Sequence, residues 1–170
     1  MNRARTGRVL LLTALALALA LCAVSGWSYA RARGDGDLAH ARSRDAALAA
    51  GRRAVARLNS LDGDRVDADL AAWLDVTTGP LREQLSAERA KSAQVLKEQG
   101  TTTRAQVTGA AVTELDDRAG TARLIATVRI ESTPRSGAPV TDRKRFETGL
   151  VRTGGGWKVG SLTAVAAGTG

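Results

Sequence analysis

The sequence predicts an α+β protein: an apolar N-terminal segment, then helices, then about four antiparallel strands, with the helices covering one face of a curved sheet. Three observations carry this. No residue from Val9 to Trp27 is charged. Apolar residues then recur at three- and four-residue intervals, as on one face of a helix. Past Thr101 the period changes to the two-residue alternation of strands.

The chain has 170 residues and a net charge of +8. That length suits one domain once the apolar segment is set aside. The first segment, Val9 to Trp27, would rise about 28 Å as a helix, against a hydrocarbon core of roughly 30 Å. It is therefore expected to be a retained transmembrane anchor, with Val9, Leu12, Leu15 and Leu19 in the bilayer and Trp27 at the interface. Ser28-Tyr29-Ala30 has the small-x-small form that signal peptidase accepts, so cleavage after Ala30 is the competing expectation. A lipoprotein site is excluded because bulky Leu21 precedes Cys22, the only cysteine. Arginines flank both ends of the segment. The short basic tail in front of it, Arg3, Arg5 and Arg8, favours an N-terminus in the cytoplasm and a domain outside the cell membrane. Arg31, Arg33, Arg42 and Arg44 follow the anchor. They either meet anionic lipid head groups, at about 1 kcal/mol each, or lie on a merely soluble juxtamembrane helix.

The expected organisation is a basic tail (1–8), the anchor (9–27), a juxtamembrane linker and helix start (28–46), a domain (47–165) and a loose C-terminal tail (166–170). The first domain helix should begin near Leu38 and present Ala47, Leu48, Gly51, Ala54, Val55, Leu58 and Leu61 as its apolar stripe. A turn at Asp62-Gly63-Asp64 leads to a short helix carrying Leu70, Trp73 and Leu74. Thr78-Gly79-Pro80 supplies the next break, Gly79 ending one helix and Pro80 suiting the first position of another. That helix uses Leu81, Leu85 and Leu96 and stops at Gly100. Arg104 to Leu115 reads as a rough strand. In the next, Leu124, Ala126, Val128 and Ile130 alternate with Arg123, Thr127, Arg129 and Glu131. Lys144, Phe146, Thr148 and Leu150 share a face of the third strand, and Thr153-Gly154-Gly155-Gly156 turns into the fourth.

Charge is spread along the chain. Residues 31–60 hold seven basic and three acidic side chains, 61–100 five and eight, and 101–170 ten and six. No face-long basic block emerges. In Arg143-Lys144-Arg145, alternation sends the arginines to one face and the lysine to the other, without stacking aromatics, so a solvated strand is expected and nucleic acid is not. The one histidine, His40, and the one tyrosine, Tyr29, lie next to the proposed membrane segment, leaving the domain poorly supplied for acid–base catalysis. Asp62, Asp64, Asp67, Asp69 and Asp75 surround a turn and a helix start. Capping is the expected role there, because the spacing lacks the glycine and distal glutamate of a calcium loop. Few aromatics are available to line a pocket. No enzyme activity, cofactor or metal is therefore expected.

The order of these features resembles the Mce-associated membrane proteins, small actinobacterial proteins that accompany mammalian-cell-entry lipid-import systems. The resemblance covers most of Ala47 to Val165. Its most specific parts are the helix with Asp67, Asp69 and Leu70, the break Thr78-Gly79-Pro80-Leu81, and Gly156-Trp157 with Val159 and Leu162. It departs from the family at Leu61-Asp62-Gly63, where a tyrosine is common, and near Gly160-Ser161, where an aspartate is. The resemblance implies a cone-like roll similar to nuclear-transport-factor-two-like folds, which include periplasmic scaffold domains of type IV secretion systems. It further implies a single-pass accessory protein that stabilises or assembles a Mce-type lipid importer, with the importer's subunits as partners. A lipid-binding carrier on the same fold is the alternative, and a cyclase-like or isomerase-like enzyme a third.

Overall fold

In the computed structural model the backbone is described for residues 3–165 and the side chains for 18–27 and 36–165. The expected C-terminal tail lies outside these residues. The chain divides into two units, Met1–Arg42 and Ser43–Gly170.

Helix α1 runs over Arg3–Leu58 without interruption, so it starts well before Leu38. Asp35-Gly36-Asp37, expected to be a linker, is helical backbone. One glycine costs a helix only about 1 kcal/mol, and nothing in that stretch removes a hydrogen bond as proline would. Within the first unit, the expected anchor residues Val9, Leu12 and Leu15 and the head-group candidates Arg31 and Arg33 lie outside the described side chains. Leu19 and Trp27 are exposed, at 64% and 72%. Among the described residues no helix is long and apolar enough to cross a membrane.

The second unit contains the end of α1, α2 (Val66–Asp75), α3 (Gly79–Gln99) and strands β1 (Thr102–Asp116), β2 (Thr121–Thr133), β3 (Val140–Thr153) and β4 (Gly156–Val165). The four strands form an antiparallel meander in the order β1-β2-β3-β4. The alternation of β2 is realised: Ala122, Leu124, Ala126 and Val128 are buried and Thr121, Arg123, Ile125 and Arg129 exposed. Strand β1 reads poorly in sequence because its register slips twice, between Val107 and Gly109 and between Val112 and Glu114. Each bulge resets which side chains face inward.

Ala47, Ala54 and Val55 of α1 pack with Leu124, Val128, Phe146, Leu150 and Val159 in the main core. Gly51 sets the distance between helix and sheet, since a Cβ there would come within 2.8 Å of Leu124 Cδ1 and 3.1 Å of Leu150 Cδ1. A second cluster, Leu61, Val66, Leu70 and Ala93 with Trp73 and Leu96 against it, joins α2 to α3. Helix α2 ends at Asp75, so Gly79 does not terminate it. Instead Gly79, at φ +57, opens α3, with Pro80 in its first turn. Gly100 closes α3 in the left-handed region at φ 59, and its N–H donates to Leu96 O.

Both sheet edges are shielded by the connections between helices. Leu61 exchanges two backbone hydrogen bonds with Thr103 on β1, at 3.0 and 2.7 Å. On β4, Val159 N–H donates to Val76 O and Val159 O accepts from Thr78 N–H, both at 2.9 Å. Each bridge shields its edge at one point, Thr103 on β1 and Val159 on β4, where a further strand cannot pair. Thr148, between Leu124 and Leu162 in the register, is fully buried in the core, and its Oγ1 has no hydrogen-bond partner among the described residues. Thr148→Val removes this desolvated hydroxyl at nearly constant shape. It is expected to raise stability by about 1 kcal/mol, read as a higher denaturant midpoint with an unchanged slope.

Candidate interaction surface

The pleat that buries one side chain of each strand presents the next to solvent. The sheet therefore has an outer face, which no described element of the second unit covers. Across its middle run Ala111, Ile125, Glu147 and Thr163, and one row further Gly109, Thr127, Arg145 and Val165. Ile125 and Val165 are each 39% exposed, so this is an apolar strip with small neighbours rather than a fully charged surface.

Toward the β1–β2 turn lies an open concavity of about 500 Å³, with Glu114, Arg123, Glu147, Gly149, Ser161 and Thr163 of the outer face in its wall and with Pro80 of α3 and the core-side Ala122 and Leu150 also lining it. Arg123 lies between two carboxylates, its Nε 3.5 Å from Glu114 and its Nη1 3.2 Å from Glu147. Both pairs are about half exposed, which limits each to roughly 0–1 kcal/mol of stability. They do hold the guanidinium in one place. Gly149 forms the floor: a Cβ there would stand 2.5 Å from Ser161 Oγ, so a side chain at 149 would displace Ser161. The concavity thus offers a fixed, ion-paired end with one more carboxylate than cation, and a shallow apolar middle, which suits contact with another surface.

A second concavity, about 520 Å³, lies between α2 and α3, where Trp73, Val95 and Leu96 meet the polar rim of Glu88, Lys91 and Gln99. Trp73 is fixed in it by donating from Nε1 to Ser60 O at 3.1 Å.

Several residues singled out in the sequence make contacts within the second unit. Asp67 Oδ2 accepts from Lys97 Nζ at 2.6 Å, linking α2 to α3. Leu70 is buried in the second cluster. Thr78 makes no side-chain cap, and its contribution is the backbone bond to Val159. Thr78, Gly79 and Pro80 are thereby brought against β4, where Val159 is fully buried and Trp157 and Leu162 pack on the core. Arg152 stacks its guanidinium 5.6 Å from the Trp157 ring centre. The remaining acidic side chains wire the turn before α2. Asp69 Oδ2 accepts from Asp62 N–H at 2.7 Å, Asp62 Oδ1 accepts from Asp64 N–H at 3.0 Å, and Asp69 faces Arg57 at 3.5 Å. Arg42 and Arg44 are exposed.

A cross-strand grouping went unread in the sequence. Arg143 and Arg145 do share a face, as alternation requires, but Arg129 stands directly opposite Arg143 on the neighbouring strand. Each arginine was visible alone. Their juxtaposition depends on a register that spans a six-residue connection, 134–139, and is not written in either strand.

Several solved structures share the fold. An IcmL-like type IV secretion system protein from Legionella pneumophila is 12% identical, with 72% of this chain and 94% of that one covered, at a TM-score of 0.56. The periplasmic domain of DotI is 12% identical over 71% and 93%, at 0.58. CagV, a VirB8 homolog of the type IV secretion system of Helicobacter pylori, is 11% identical over 73% and 99%, at 0.57. At such identities the likeness is one of fold. It agrees with the expected α+β roll, helices on one face of an open four-stranded antiparallel sheet. No curated protein matches the chain in sequence. The model of the family described as "Uncharacterized protein Rv1363c/MT1408-like" matches residues 7–165, which take in parts of both units, and the chain belongs to that family.

Proposed function

We propose that the protein is a membrane-anchored accessory protein whose extracytoplasmic domain works by binding other proteins. The observation that carries this is the uncovered outer face of the sheet, a broad, shallow surface on a domain whose interior is filled. Leu124, Leu150, Val55, Val66 and Val159 occupy the space between helices and sheet with essentially no exposure. That packing supports a binding surface over an internal lipid or substrate chamber. The fold is also shared with two type IV secretion system proteins and with the periplasmic domain of DotI. Anchoring would confine the domain to two dimensions and raise its effective concentration toward membrane-bound partners.

The partners we infer are subunits of a Mce-type lipid importer, which the domain would stabilise or help assemble. Support for this comes from the order of Asp67-x-Asp69-Leu70, Thr78-Gly79-Pro80 and Gly156-Trp157 in the sequence. Catalysis is not part of the proposal: Glu114 and Glu147 lie in an open concavity, and both are tied to Arg123.

The test is co-purification of the full-length chain, tagged at its C-terminus, from membranes in mild detergent. Importer subunits present at fixed ratio, together with an intact bait N-terminus, are the expected result. A bait that comes down alone, or one beginning at Arg31, would contradict it.

A further inference from the structure

The two ends of the outer sheet face carry different charge. At the β1–β2 turn end, Arg123 is matched by Glu114 and Glu147, and Asp116 lies exposed nearby. At the other end, Arg129 and Arg143 are direct cross-strand partners, Arg145 follows on the same face of β3, and Arg104 lies one row beyond, opposite Glu131. All four arginines are exposed, and none forms an ion pair among the described residues. Two carboxylates share this part of the face with them: Glu131, opposite Arg104, and Glu147, one row from Arg145 and paired with Arg123. Asp142, the nearest acid in sequence, points to the opposite face with Lys144, 3.8 Å from its Nζ, and accepts the backbone N–H of Arg143 at 2.7 Å.

Like charges placed directly opposite on neighbouring strands destabilise a sheet. This chain places two arginines so, with a third beside them, and none of the three has an ion-pair partner among the described residues. We infer that the cluster Arg129, Arg143 and Arg145 is the docking site for an acidic segment of a partner protein. The inference rests on the reading of the domain as a protein-binding module and names the chemistry of its contact.

The spacing fits an extended acidic segment. Arg143 and Arg145 are two residues apart on a strand, which separates their side chains by roughly 7 Å, the same repeat that carboxylates at alternate positions of an extended segment would have. Opposed residues on neighbouring strands bring Cβ atoms to about 5 Å, so Arg129 and Arg143 can grip one carboxylate from two sides. Arginine suits this, because its planar fork binds carboxylates in a bidentate manner. The strip of Gly109, Ala111, Ile125 and Thr127 beside the cluster supplies apolar contact for the rest of such a segment. A flat anionic bilayer fits less well: laid on this face it would meet Glu114, Glu147 and Asp116 at the other end. Nucleic acid would find no aromatic side chain here to stack on.

The probe is a fluorescein-labelled deca-glutamate peptide, titrated by anisotropy against the full-length protein in mild detergent. Binding is expected at low salt and should weaken as salt screens the contact. The double variant Arg129→Gln/Arg143→Gln should weaken it by about ten-fold or more, the scale of one or two lost charge-assisted hydrogen bonds. Arg65→Gln/Arg118→Gln, which loses the same charge elsewhere on the domain, should change it by less than about two-fold. Removing the repulsive pair should leave Tm unchanged or raise it; a fall of Tm contradicts the repulsion from which the inference starts.

Equal weakening by both double variants would overturn the inference. So would a Arg129→Gln/Arg143→Gln variant that keeps the peptide but loses phosphatidylglycerol vesicles, which would mark a membrane contact. In the co-purification above, importer subunits retained by Arg129→Gln/Arg143→Gln would leave the binding-module reading standing and remove the cluster as its contact. A parent chain that comes down alone would instead remove the reading itself.

Discussion

Leu124→Ala is expected to destabilise the second unit by about 3–4 kcal/mol, toward the upper part of the range for a leucine truncated in a core. Leu124 is fully buried in the first half of β2, between Val112 on β1 and Thr148 on β3. What lies above it decides the magnitude. Its Cδ1 fills the space left by the missing side chain of Gly51, 2.8 Å from where a Cβ would sit. When the leucine is cut back, α1 has no atom at that position to move in, and the cavity persists. The change should appear as a lower denaturant midpoint with the slope preserved. A loss below about 1 kcal/mol would mean that helix and sheet close up, and that Gly51 does not fix their separation.

Trp73→Ala is the second large effect, about 3 kcal/mol. The indole covers the cluster of Leu61, Val66, Leu70 and Ala93 and donates to Ser60 O at 3.1 Å. Ser60 in turn donates from Oγ to Ala56 O at 2.8 Å and accepts from Ala105 N–H at 2.9 Å. One side chain on α2 thus reaches the junction of α1 with β1. Trp73→Phe keeps most of the packing and drops the N–H, and should cost about 1 kcal/mol. If both variants cost the same, the hydrogen bond rather than the packing carries the effect. Both changes also reshape the concavity between α2 and α3 while leaving the outer sheet face intact. Peptide binding at the arginine cluster should therefore be unchanged in any variant that remains folded.

Much of the fold was legible because its signals are local. Helix α2, Pro80 in the first turn of α3, the end of α3 at Gly100 and the alternation in β2 each follow from residues a few positions apart. What sequence reading missed depends on distance. The expected start of the domain helix near Leu38 falls inside α1, because Gly34 and Gly36, at about 1 kcal/mol each, do not interrupt the helix. Ala93, not Leu85, is the buried residue of α3, since the close approach of α2 selects a small side chain. The roughness of β1 came from two register shifts that no periodicity search anticipates. The candidate surface was legible residue by residue and illegible as a surface. Thr127, Arg129, Arg143 and Arg145 belong together only because the β2–β3 pairing sets them in adjacent rows.

The central claim is that the outer sheet face meets a protein partner in the cell. It is tested most directly by a photo-crosslinking amino acid placed at Ile125, in the middle of that face, and in parallel at Gln84, exposed on α3. After irradiation of intact cells, a discrete higher-mass adduct from position 125, absent from position 84, is the expected result. No adduct from 125, or the same adducts from both positions, would contradict it.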